Sequence, residues 1–172
     1  GRAHIMGLCS PGGVHSSLDH LYALIDLLAE HGVEVWLHAI TDGRDTPPRS
    51  ARGFLKDIEK KIDGKAKIAV VVGRYYSMDR DKRWERIEKG YMAHVAAQGS
   101  AHRTVDEAVQ AAYAAGENDE FITPRIIVDD KGDAPGTIRD RDGVFFFNFR
   151  ADRAREMTMA LTFDSFEGFE RT

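Results

Sequence analysis

Runs of apolar residues alternate with polar, glycine-rich stretches along this chain, and the spacing inside each run predicts its conformation. His4 to Cys9 is a short apolar run ending in Ser10-Pro11-Gly12-Gly13, which reads as a strand followed by a loop. Leu18, Leu21, Tyr22, Leu24, Ile25 and Leu28 then recur at helical spacing, with Ser17 as N-cap and Gly32 as stop. Val33 to Ile40 predicts a second strand that runs into the turn-rich segment Thr41 to Pro48. Phe54, Leu55, Ile58 and Ile62 mark a helix opened near Pro47 to Ser50 and closed by Asp63-Gly64. Ile68 to Val72 predicts a buried strand that empties into Gly73 to Asp81, ahead of a helix through Trp84, Ile87, Tyr91 and Val95.

The second half continues the theme. Thr104-Val105-Asp106-Glu107 fits a capping box that opens a helix to Ala115, stopped by Gly116. Ile126 to Val128 reads as a short strand, and Asp129 to Gly143 as a solvent-exposed connection. The aromatic run Val144 to Phe149 predicts a strand covered on both faces, followed by a helix from about Ala151 through Met159 and a polar-aromatic tail, Phe163 to Phe169. Four repeats of strand, loop and helix predict a three-layer α/β/α sandwich with a largely parallel sheet, mixed pairing being left open. One domain over residues 1–172 is expected, because no linker-like stretch interrupts the pattern.

Composition narrows the setting. A chain of 172 residues buries most of its apolar surface without disulfides or a structural metal. Its one cysteine, Cys9, lies in an apolar run and reads as a small buried hydrophobe rather than a nucleophile. No apolar stretch approaches the roughly 20 residues of a membrane span, and no signal peptide is visible, so a reducing, cytoplasmic setting without membrane partners is expected. A net charge of −4 argues against non-specific nucleic-acid binding, so no nucleic-acid partner is expected and any anion site must be locally concentrated. The alternating charges of Lys56 to Lys61 read as a solvated helix face.

Local cation concentration is what the loops offer. The four segments that follow strands carry His15, Arg44 with Asp45, Arg74 with Arg80, and Arg150 with Arg153. In open α/β sheets these loops share the carboxyl edge, where ligands bind, and guanidinium forks match carboxylate and phosphate. A surface ion pair is the competing reading for each arginine alone; joint placement favours one pocket for a small anion. Asp45 either orients or deprotonates a ligand hydroxyl, or it pairs with Arg44 or caps the turn before Pro47-Pro48. His15 either donates to an anion or shuttles a proton, or it serves as a plain hydrogen bonder. Arg49, Arg52, Arg83, Arg86 and Arg155 are assigned to paired surface roles outside the site. Asp42, Asp45, Asp79 and Asp81 sit beside arginines, which disfavours a cation site, and no metal ligand is expected. The Gly-x-Gly-x-x-Gly, phosphate-loop, Gly-x-Ser-x-Gly and His-Glu-x-x-His signatures are absent.

Four segments together, Ser10 to Ser16, Asp42 to Pro48, Gly73 to Asp81 and Asn148 to Arg155, resemble the cofactor-independent phosphoglycerate mutases, in the order that family shows and over almost the whole chain. The resemblance implies a glycolytic isomerase of two domains that interconverts 3-phosphoglycerate and 2-phosphoglycerate through a phosphoserine. It implies that the serine and two divalent metals, commonly manganese, belong to a phosphatase-like domain, and that this chain is the second, substrate-binding domain. Substrate contacts then fall on His15, Arg44, Asp45, Arg74, Arg80, Arg150 and Arg153, with Asp45 as the proton-transfer partner of the glycerate hydroxyls. No segment here resembles the serine motif or the metal clusters, so the chain is expected to be inactive alone, with no cofactor of its own and the phosphatase-like domain as its partner. The alternative is a non-enzymatic anion- or nucleotide-binding module.

Overall fold

The computed structural model describes residues 1–172. Six strands form one mixed sheet: β1 (Arg2–Leu8), β2 (Glu34–Thr41), β3 (Lys67–Gly73), β4 (Ser100–His102), β5 (Arg125–Ile127) and β6 (Gly143–Phe146). Six helices accompany them: α1 (Leu18–Glu30), α2 (Ala51–Ile62), the single turn α3 (Arg74–Ser77), α4 (Trp84–Ala96), α5 (Val105–Ala114) and α6 (Arg155–Thr162). The strand order is β4-β5-β3-β2-β1-β6. β3, β2, β1 and β6 are mutually parallel, and the antiparallel step falls between β3 and β5. The expected three-layer α/β/α sandwich is therefore present, with the sheet mixed at one end.

Alternation along the central strands builds the two cores. Ile5, Leu37, Ala39 and Val71 face α1, α2 and α5, where Leu21, Ile25, Leu55, Ile58, Val105 and Val109 complete one cluster. Met6, Leu8, Ile40, Val70 and Val72 face α4 and α6, where Ile87, Tyr91, Met157 and Ala160 complete the other. Cys9 is 1 % exposed within the first cluster, and burial pushes its thiol up to about 12, as expected for a packing residue. No helix is long and apolar enough to cross a membrane.

Two local expectations change. The aromatic run is not a strand covered on both faces, because β6 is the edge strand: it pairs only with β1 and ends at Phe146. Val144, Phe145 and Phe149 are exposed, and of the run only Phe147 is fully buried. Its ring lies over Gly7, where a Cβ would come within 2.5 Å of the ring carbons. α6 starts at Arg155 rather than near Ala151, since the residues just before it form turns that direct Asp152 and Arg153 into contacts with the loop after β3. The helix after Pro47-Pro48 opens after Ser50, within the expected stretch, and the buried Asp119 accepts the N–H groups of Ser50 and Ala51, both at 2.8 Å. The tail closes the α4 side, with Phe166 edge-on to Trp84 and Phe169 tilted against Tyr91.

On the α4 face three fully buried histidines form a chain that the sequence pattern did not reveal. His4 Nδ1 lies 2.8 Å from His38 Nε2, and His38 Nδ1 lies 3.0 Å from His94 Nδ1. The ends reach Asp142 at 3.0 Å and the Ser77 hydroxyl at 3.4 Å. One proton order satisfies all of them with neutral rings: Ser77 donates to His94, His94 to His38, His38 to His4, and His4 to Asp142. Burial depresses all three, His94 to about 3 and His38 well below its usual value. The unfolded chain therefore binds more protons than the folded one below about pH 6.5, so the stability these groups lend is present above that pH and lost as pH falls. Between pH 7.5 and pH 5 the loss is expected to be on the order of 2 kcal/mol for each of His38 and His94. Urea midpoints at the two pH values measure it, and His94→Gln is expected to flatten the dependence.

Candidate functional site

The carboxyl ends of β1, β2 and β3 and the turn after β6 converge on Arg74. This side chain is 4 % exposed and donates from Nη1 to Asp42 Oδ1 and to Asp45 Oδ2, each at 2.8 Å, and from Nη2 to His15 Nε2 at 3.0 Å. It heads α3, the single turn directly after β3, so the strand fixes where the guanidinium begins. Asp42 is the anchor beneath it. Burial alone would raise Asp42, but the Ser10 hydroxyl at 2.6 Å, the N–H groups of Asp45 and Arg44, and Arg74 together hold its carboxyl below the usual range. The same bonds form an Asx turn that aims Asp45 inward. Gly43 is required there: its φ is 72°, and a Cβ would meet the Glu120 backbone nitrogen at 2.7 Å.

His15 is 3 % exposed, and burial followed by the nearby Arg74 and Arg150 lowers its pKa. Because Arg74 donates to Nε2, the ring proton belongs on Nδ1, which faces Asp152 Oδ1 at 3.9 Å. Asp152 is also the internal counter-ion of two arginines, Arg80 Nη1 at 2.8 Å and Arg150 Nε at 3.0 Å. Arg153 donates to the Met78 carbonyl at 3.0 Å, and burial together with Arg80, Arg74 and Arg44 lowers its pKa, the sign of cations crowded into one place. Arg44 stands at the rim, more than half exposed, with Glu120 at 3.4 Å.

Of the residues singled out from the sequence, His15, Asp45 and Arg74 are thus in direct contact, Arg80 and Arg150 meet through Asp152, Arg153 lies beside them, and Arg44 is turned outward. The excluded arginines hold other contacts: Arg52 pairs with Asp106 at 2.6 Å, Arg83 with Asp81 at 2.8 Å, and Arg86 stacks 3.8 Å over the Tyr75 ring. Asp42, Ser10 and Asp152 were missed as site residues. The signal for Asp42 was its place two residues before Arg44 in an Asp-Gly turn; Asp152 carried only its position between Arg150 and Arg153. No group of three or more His, Cys, Asp or Glu side chains is placed to hold a metal ion.

The arrangement is a cationic edge whose charges are balanced by its own carboxylates. An incoming dianion can replace Asp152 on Arg80 and Arg150 while Arg74 and Asp45 stay fixed beside it. The family described as BPG-independent PGAM N-terminus matches residues 1–172. The chain belongs to this family. Among curated relatives of this PGAM family it is 49% identical over 174 residues to the 2,3-bisphosphoglycerate-independent phosphoglycerate mutase of Syntrophotalea carbinolica, and 50% identical over 172 residues to that of Clostridioides difficile. It covers 99% and 98% of itself in those alignments but 33% of each relative, so it spans about a third of their length. A crystal structure of Leishmania mexicana phosphoglycerate mutase at low cobalt concentration superposes with a TM-score of 0.93 at 34% identity, over 98% of this chain and 33% of that one.

Proposed function

We propose that this domain holds the glycerate of 2- or 3-phosphoglycerate while a phosphatase-like domain of the same enzyme exchanges its phosphoryl group, the whole acting as an isomerase of glycolysis and gluconeogenesis in the cytoplasm. The observation that carries the reading is the convergence of Arg74, Arg80, Arg150 and Arg153 from two loops onto one edge, beside a carboxylate that is itself hydrogen-bonded in place. A phosphoglycerate carries a carboxylate and a phosphate on a three-carbon frame, and several guanidinium forks at one edge suit both ends.

In this reading a glycerate hydroxyl attacks the phosphorus as the serine oxygen leaves, and Asp45 takes the hydroxyl proton. Arg74 holds Asp45 in place through its hydrogen bond, and the buried neutral His15 offers its Nδ1 proton to an anionic oxygen. The other arginines restrain the glycerate as the phosphoryl group passes between adjacent oxygens. Divalent metals, manganese in the proposal, would supply Lewis-acid chemistry from the other domain; the residues of this one do not form a site for them, and no step here runs through a metal.

Calorimetric titration with 3-phosphoglycerate and with ADP tests the assignment. The expected result is binding of 3-phosphoglycerate at least 10-fold tighter than ADP, about 1.4 kcal/mol. A preference for ADP would instead support a nucleotide-binding module.

A further inference from the structure

Two carboxyl groups behind the arginines are buried against each other. Asp79, in the loop between α3 and α4, is 4 % exposed, and Glu156, in the first turn of α6, is 6 % exposed. Asp79 is heavily supplied with donors: the N–H groups of Asp81 and Arg83 reach Oδ2 at 2.9 and 3.0 Å, and Arg83 and Arg86 reach Oδ1 at 3.3 and 3.5 Å. Glu156 has one, the Lys82 N–H on Oε1 at 2.8 Å. Its Oε2 is buried without a hydrogen-bond partner, and the two carboxyls sit on consecutive N–H groups of one loop, Glu156 on Lys82 and Asp79 on Asp81 and Arg83. A proton on Oε2 removes both the orphaned oxygen and the repulsion between two buried carboxylates.

We propose that protonated Glu156 is a positioning residue: by donating to Asp79 it clamps α6 to the Met78–Lys82 loop and so sets the spacing of Arg153 and Arg80 in the anion site. The two arginines lie on the two segments the clamp joins, and Arg153 itself bonds the Met78 carbonyl one residue from Asp79. The charged groups facing Glu156 are Asp79 and Asp81 from the loop; Arg83 and Arg86, from the start of α4, reach Asp79, and Arg153 on the α6 side is held by Met78. Burial first, and then Asp79 and Asp81, raise Glu156; burial would raise Asp79 as well, but its backbone and side-chain hydrogen bonds together lower it. The pair is thus set to share one proton, and the clamp holds below the raised Glu156 pKa and opens as pH rises through it.

Because the clamp serves the proposed phosphoglycerate site, its test has one readout that needs no ligand. Infrared difference spectra of wild type against Glu156→Gln should show the loss of one protonated carboxyl band, and the wild-type urea midpoint should fall relative to Glu156→Gln as pH rises. Titration with 3-phosphoglycerate should give Glu156→Gln, whose amide can donate to Asp79 and accept from Lys82, an affinity within about 2-fold of wild type at neutral pH. Glu156→Ala should bind about 10-fold more weakly, and the ratio of wild-type to Glu156→Gln affinity should fall at high pH, which cancels the ligand's own titration. No lost carboxyl band, a pH-independent ratio, or Glu156→Gln as weak as Glu156→Ala would overturn the clamp. Absence of 3-phosphoglycerate binding by wild type, with the infrared and urea results as expected, would instead overturn the proposed ligand and leave the clamp standing.

Discussion

Arg74→Ala is expected to lower stability by about 3–5 kcal/mol and to abolish measurable 3-phosphoglycerate binding. The size follows from what the substitution leaves behind. Asp42 is 2 % exposed, and with Arg74 gone its carboxylate and that of Asp45 lose the guanidinium they share. His15 loses the donor on Nε2 at the same time. Breaking a buried pair by removing one partner is far more damaging than the pair's net value, because the remaining charge is uncompensated. For a chain of 172 residues the loss amounts to a drop of roughly 10 °C in Tm. Thermal melts measure it, and the double variant Arg74→Ala with Asp42→Asn should regain part of the loss, since no buried carboxylate is then left unpaired. A fall below about 1 kcal/mol would show that water already compensates Asp42 and that Arg74 is no keystone.

How much of this was legible in the chain depends on range. The central strands and α1, α2, α4 and α5 could be read because their periodicities are local: Ile68 to Val72 is continuous and apolar, and Thr104 with Glu107 is a cap whose hydroxyl does accept the Glu107 N–H, at 3.1 Å. The arginines were legible because each follows a strand, and topology alone sends such loops to one edge. What could not be read was set by partners distant in sequence. Phe145 looked buried because it is aromatic, but whether β6 is central or at an edge depends on strand order, which its own residues do not encode. Asp119 caps a helix almost seventy positions away, and His4, His38 and His94 meet only once the sheet and α4 are assembled. Asp152 was overlooked for a similar reason: in sequence it is one acid among arginines, whereas in space it is the anion that three site residues face.

The second large effect concerns the cations that face that anion. Arg150→Ala together with Arg153→Ala is expected to weaken 3-phosphoglycerate binding by 100-fold or more, about 2.7 kcal/mol, with little loss of stability. Arg150 is half exposed and its partner Asp152 keeps Arg80, so the fold has little at stake in it. Arg153 is more enclosed, but its one hydrogen bond is to a carbonyl, and its cationic neighbours make its charge unfavourable where it stands. A guanidinium crowded by Arg80, Arg74 and Arg44 is a poor structural element and a good anion receptor.

The most direct test of the pocket is therefore calorimetric titration of 3-phosphoglycerate into the wild-type chain and into this double variant, with thermal melts of both. Saturable binding by wild type, none detectable for the variant at the same concentrations, and Tm values within about 3 °C are expected. Equal binding by both proteins would contradict the proposed pocket.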